Sequence, residues 1–246
     1  MKQRYFWIDN IRAVAMLSMI AYHAVWDLVY LYGMDWGWYR SDLAFVWQQS
    51  ICWTFILLSG FCWSFSKNPL KQGFLVAGAG LIITVVTQSF SYESRVIFGV
   101  LNVIGASALL MIPLKKVFEK IPSVTGALVM FLLFAITYGI NDRHLGFFGA
   151  ELIELPEMLY RNLATTFLGF TDAGFFSADY FSVLPWSFLY FTGYFLSRLW
   201  REGKIPGAAC MNKKMPLLTW IGKHSLIIYM LHQPVLLGVL GILFHG

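Results

Sequence analysis

The chain has 246 residues, 58% of them hydrophobic and only 13% charged, with a net charge of +5. A soluble domain carries about a quarter charged residues, so a water-covered globule is excluded and much of this surface meets lipid. The basic excess does not indicate nucleic acid, because most Lys and Arg stand in short loops between apolar runs, the pattern that orients membrane proteins.

In chain order, apolar runs near the spanning length of about 20 residues fall at 11–32, 43–66, 73–91, 96–113, 123–140, 181–199 and 222–244. Turn-like, charged breaks separate them: Lys67-Asn68-Pro69, Lys115-Lys116, and Arg201 through Pro216. The spacing predicts an all-α polytopic transmembrane bundle of about seven spans, forming a single domain over 1–246.

With the N-terminus inside, the inner loops receive Lys2, Arg4, Lys67, Lys71, Lys115, Lys116, Lys120, Arg198, Arg201, Lys204, Lys213 and Lys214. The outer loops receive only Arg40, Arg95, Arg143 and Arg161, with most of the acids. This asymmetry predicts an N-in, C-out orientation. Trp36, Trp38 and Tyr39 follow the first span as interfacial aromatics.

The connection from Asn141 to Tyr180 is long, apolar and glycine-rich, with Gly146, Gly149, Gly169 and Gly174. It reads as an outer lid, with Pro156 through Leu168 as a short interfacial helix; a re-entrant segment is the alternative. The N-terminus is not read as a cleaved signal, since Asp9, Arg12, His23 and Asp27 interrupt its apolar stretch. Cys52, Cys62 and Cys210 have no metal-ligand spacing and read as packing residues with a bystander thiol.

The first span carries the strongest signal. Each helical residue turns by about 100°, so Arg12 and His23 share a face, offset by roughly 20° and about 16 Å along the axis. Asp9 and Asp27 fall within roughly 60° of the same line. A charge at the bilayer centre costs at least about 2.5–3.5 kcal/mol, which makes such a stripe a functional candidate. The bland alternative is two structural pairs, Arg12 with Asp9 and His23 with Asp27. Histidine titrates nearest neutral pH, and Asp27 at i+4 is placed to fix its tautomer. Arg12, toward the cytoplasm, suits an anionic group such as phosphate.

The last span opens on Gly222-Lys223-His224-Ser225 and reaches His232-Gln233-Pro234. His232 reads equally as a site residue or an interhelical hydrogen bond. In the fourth span Gly99 and Gly105 suggest close packing, and Asn102 is expected to face a cavity. Asp179, Tyr180 and Trp186 mark the outer mouth of the sixth span, and Arg95 with Glu93 the outer end of the fourth. No P-loop, HExxH or Cys/His metal spacing occurs in the sequence, and no metal is expected.

These residues carry a family likeness. Asp9-Asn10-Ile11-Arg12-Ala13-Val14-Ala15 followed by His23 resembles the arginine–histidine signature of the acyltransferase-3 superfamily. His23 through Leu28, Phe98 through Leu101, Asp179 through Phe181 before Leu184-Pro185-Trp186, and Trp220 through Ser225 with His232-Gln233-Pro234 resemble the bacterial heparan-α-glucosaminide N-acetyltransferase branch. Ala13 stands where that signature usually has glycine, and Asn102 where the fourth-span motif often has histidine. Members of the branch also differ in where their catalytic histidine lies.

The resemblance implies transfer of an acetyl group from cytoplasmic acetyl-CoA to a sugar or glycan amine or hydroxyl on the far side. It places the protein in a bacterial inner membrane, with the lipid bilayer as partner, no nucleic acid, and homo-oligomers allowed. His23 would act as base with Asp27 orienting it. Donor contacts would come from Arg12, Asp9, Asn102, Lys223, His224 and Ser225, and acceptor contacts from Asp179, Tyr180, Trp186, His232, Gln233 and Arg95. A covalent acetyl-histidine is the rival mechanism, and a small transporter or an accessory membrane protein the rival function.

Overall fold

The computed structural model describes residues 5–90, 92–148, 150–205 and 214–245. Lys2, Arg4, Gly149, Cys210 and Lys213, named above, lie outside them. The described residues form nine α-helices: α1 Phe6–Tyr30, α2 Asp42–Trp63, α3 Pro69–Gln88, α4 Val100–Phe118, α5 Ser123–Thr137, α6 Leu163–Leu168, α7 Val183–Arg201, α8 Pro216–Lys223 and α9 Ser225–His245. Among the described residues six stretches are long and apolar enough to cross a membrane: α1, α2, α3, α4, Ser123–Asp142 and Ser225–Phe244. The chain is therefore an all-α, multi-pass membrane protein. The sixth expected span, 181–199, is present as α7, a 19-residue helix, but its aromatic and polar residues are mostly buried. It is a core helix of its unit rather than one clad in lipid-facing aliphatics.

The chain divides into two compact units, Met1–Phe55 with Gly207–Gly246, and Ile56–Pro206. In the first, α1 packs against α8 and α9. Ala13, Met16, Met19, Ile51 and Ile221 form its core, flanked by Tyr22, Trp47, Phe55 and Tyr229. The 3₁₀ turn after α1 folds back on it: the Tyr39 hydroxyl donates to the Tyr22 carbonyl at 3.3 Å. The expected last span is two helices, because the chain leaves helical geometry at His224. Its first part, α8, crosses α1 so closely that a Cβ on Gly222 would stand 2.2 Å from the Asp9 carbonyl oxygen.

The second unit is built on antiparallel α3 and α4 and on α5 and α7. Gly73, Gly80 and Gly105 allow α3 and α4 to touch; a Cβ on Gly105 would lie 2.6 Å from the Ala77 backbone nitrogen. Such small-residue contacts let backbones approach where packing, not hydrophobicity, drives association. Phe118, Phe134, Trp186, Phe191 and Phe195 fill the centre. At one end Arg198 donates to the Phe118 and Ile121 carbonyls at 2.6 and 2.9 Å, satisfying the exposed end of α4. Lys115, Lys116, Lys120 and Arg201 share that end, as the charge asymmetry anticipates.

The 141–180 connection departs from expectation. It holds an antiparallel hairpin, His144–Phe147 with Ala150–Glu154, which the sequence reading did not foresee. The single helix expected over 156–168 is instead a 3₁₀ turn, Glu157–Leu159, and the short α6, capped by Asn162. The chain leaves helical geometry at Tyr160 and Asn162, and the Asn162 side chain starts a new helix by accepting from the Ala164 and Thr165 N–H groups. Asn141 ties the connection down, donating to the Gly169 carbonyl and the Ser182 hydroxyl at 3.0 Å each.

Candidate active site

The first unit gathers the α1 stripe and the end of the α9 motif. Asp27 is fully buried, at 0% exposure. Its Oδ1 accepts from Gln233 Nε2 at 2.8 Å, joining α1 to α9. Its Oδ2, Gln233 Oε1 and His232 Nε2 are buried atoms with no hydrogen-bond partner. The His23 and His232 rings lie 4.9 Å apart at 53°. Three unpartnered acceptors in one place are costly unless a ligand or water supplies donors. This cluster is the strongest sign of a site among the described residues.

The geometry changes one assignment. The expected His23–Asp27 hydrogen bond is not formed: Asp27 is engaged by Gln233 and its other oxygen is unpartnered. Four residues of spacing on one helix allowed the contact, but the amide from α9 takes the carboxylate instead. Neither His232 nor Gln233 is a peripheral residue, since both face α1.

Toward the start of α1, Arg12 lies 3.8 Å from the Asp9 carboxylate and 3.4 Å from the Gly222 carbonyl. The bland Arg12–Asp9 pair is thus real, though long. Thr219 donates to Asn10 at 3.4 Å beside it. Lys223 is exposed at the end of α8, and His224 is exposed with its Nδ1 2.9 Å from the Trp220 carbonyl. Ser225 opens α9. A guanidinium with five donors and a neighbouring lysine form a basic end to the stripe, chemically suited to phosphate.

The remaining candidates belong to the second unit. Asn102 is a polar residue of α4 whose Oδ1 has no hydrogen-bond partner. It is buried against α3, with its Oδ1 where a Cβ on Gly80 would stand 1.7 Å away. Trp186 is likewise a core residue, 7% exposed and packed on Phe134 and Phe181. Tyr180 donates to the Thr166 carbonyl at 2.6 Å and receives Asn141. Arg95 bonds the Phe176 carbonyl at 3.0 Å and stacks 3.8 Å over Tyr92, rather than pairing with Glu93. Asp179 accepts from the Val100 N–H at 3.3 Å, capping the start of α4 from a distant loop. Asp179 is partly exposed, yet burial of its carboxyl pushes the pKa up to about 6, with the Val100 bond opposing.

Sequence reasoning placed His232 and Gln233 at the site but missed their specific partners. The signal available was Pro234, which removes one backbone donor and marks an irregular, functional stretch of helix. Among the described residues no group of three or more metal-ligating side chains occurs.

No curated protein and no solved structure matches the chain. Residues 4–234, nearly its whole length, match the family described as heparan-alpha-glucosaminide N-acetyltransferase, catalytic, and the chain belongs to that family.

Proposed function

We propose that this protein is a membrane acyltransferase that moves an acetyl group from cytoplasmic acetyl-CoA to an amine or hydroxyl of a sugar-type acceptor beyond the bilayer. Family membership carries the transferase class. The observation that supports chemistry in the first unit is the cluster of buried, unpartnered acceptors around His23 and His232. The loop charges favour an N-in orientation, and the resemblance to the bacterial branch of the family supports a bacterial inner membrane as the setting.

His23 is assigned as the base. It takes the proton from the acceptor N–H or O–H while the heteroatom bonds the thioester carbonyl carbon. The carbon–sulfur bond then breaks, and the coenzyme A thiolate leaves and takes up a proton. Arg12 and Lys223 are assigned to the donor's phosphates, where paired cationic donors are strongest. Trp186 is not carried forward as a contact, because packing accounts for it.

Isothermal titration of the purified protein with acetyl-CoA tests the donor half. Saturable heat, weakened by Arg12→Ala, is expected. No heat, together with solute or proton flux in liposomes, would replace this reading with transport.

A further inference from the structure

A base needs its tautomer fixed, and the residue expected to do this for His23 does not. Asp27 is held by Gln233. Two rings lie against His23: Tyr22 edge-on, with centres 6.0 Å apart, and His232 nearer, with centres 4.9 Å apart. His232 has its own orientation set by the backbone: its Nδ1 lies in hydrogen-bond contact with the Tyr229 carbonyl. A carbonyl oxygen only accepts, so Nδ1 carries the hydrogen. In the neutral ring Nε2 is then the lone-pair nitrogen. That nitrogen is buried and has no partner.

We propose that His232 is the positioning residue of the reaction. Its Nε2 accepts a hydrogen bond from one ring N–H of His23, leaving the other His23 nitrogen as the base. The proposal rests on the acyltransferase reading and gives His232 the part first expected of Asp27. A straight N–H···N bond between two imidazoles places their centres about 5 Å apart. The observed separation already matches, so a rotation of the His23 ring about its side-chain bonds closes the contact. Catalytic hydrogen bonds commonly tighten only when substrate is bound. The Asp27–Gln233 bond serves this arrangement indirectly: it anchors the residue next to His232 and so fixes α9 against α1. Pro234 removes the amide that would bond the Met230 carbonyl, which loosens the helix where the His232 side chain takes the Tyr229 carbonyl.

The test compares wild type, His232→Gln and His232→Leu in transfer from acetyl-CoA to glucosamine. Glutamine keeps an acceptor oxygen near the Nε2 position but takes no proton. His232→Gln is expected to hold kcat within about tenfold of wild type, and His232→Leu to lose about a hundredfold or more. KM for acetyl-CoA should be unchanged in both. Nitrogen-15 spectra of histidine-labelled protein in nanodiscs, with and without acetyl-CoA, give a readout independent of turnover. His23 should show one tautomer in wild type and a mixture in His232→Leu. His232→Leu with wild-type kcat would overturn the proposal, as would an identical His23 tautomer in both proteins. Equal loss in the two variants would overturn it too, making His232 a proton carrier. If wild type transfers nothing, the acyltransferase reading falls, and the spectra alone decide whether His232 orients His23.

Discussion

Replacing Gln233 by leucine isolates the contact on which the α1–α9 arrangement depends. Asp27 is 0% exposed and its Oδ1 bonds Gln233 Nε2 at 2.8 Å, while Oδ2 has no partner. Gln233→Leu removes the donor and leaves both carboxyl oxygens unpartnered. A hydrogen bond to a charged group contributes about 1.5–3 kcal/mol. Interhelical bonds within membranes average only about 0.6 kcal/mol, because the unfolded reference also finds partners. Full burial of the carboxyl places this pair above that average, at a coupling of about 1–2 kcal/mol. The assay is a double-mutant cycle of Gln233→Leu and Asp27→Leu, followed by unfolding in mixed micelles. The single variants should each destabilise, and the double variant should recover part of the loss. A coupling near zero would refute the reasoning, for it would mean that the two side chains do not meet in the membrane.

Other predictions follow from the same contacts. Gly222→Ala places a Cβ where the Asp9 carbonyl oxygen is 2.2 Å away. It should destabilise by about 1–3 kcal/mol and weaken acetyl-CoA binding in titration by displacing α8 from Arg12. Asp179 ionises near pH 6 in the fold against 3.8 as a free group, so the folded state binds more protons between those values. Stability should therefore fall as pH rises from about 4 to about 6 and level off above. Asp179→Asn should flatten that window in thermal scans while keeping the Val100 bond. Arg198→Leu leaves the Phe118 and Ile121 carbonyls without their donor, and should cost about 1–3 kcal/mol in unfolding experiments.

The spans were legible because lipid demands long apolar runs, and α1 through α5 lie within a few residues of their expected positions. The α8–α9 break at His224 was not, since both pieces are apolar and no proline or glycine marks the junction itself. The hairpin at 144–154 escaped notice because its strands are short and its exposed Leu152 and Ile153 give no alternation. At the site, helical spacing correctly put Arg12, His23 and Asp27 on one stripe. It could not reveal that Asp27 would choose Gln233, 206 residues away, over a histidine one turn back. Asn102 was legible as a polar position within a span, but not its neighbour: Gly80 on α3 lies against its Oδ1, which has no hydrogen-bond partner.

Acetyl transfer by the purified protein tests the central claim most directly. Radiolabelled acetyl-CoA and glucosamine should yield labelled N-acetylglucosamine with wild type, and His23→Ala should lower the rate by about 10²–10⁴-fold. Labelled product formed by His23→Ala at the wild-type rate would contradict the account.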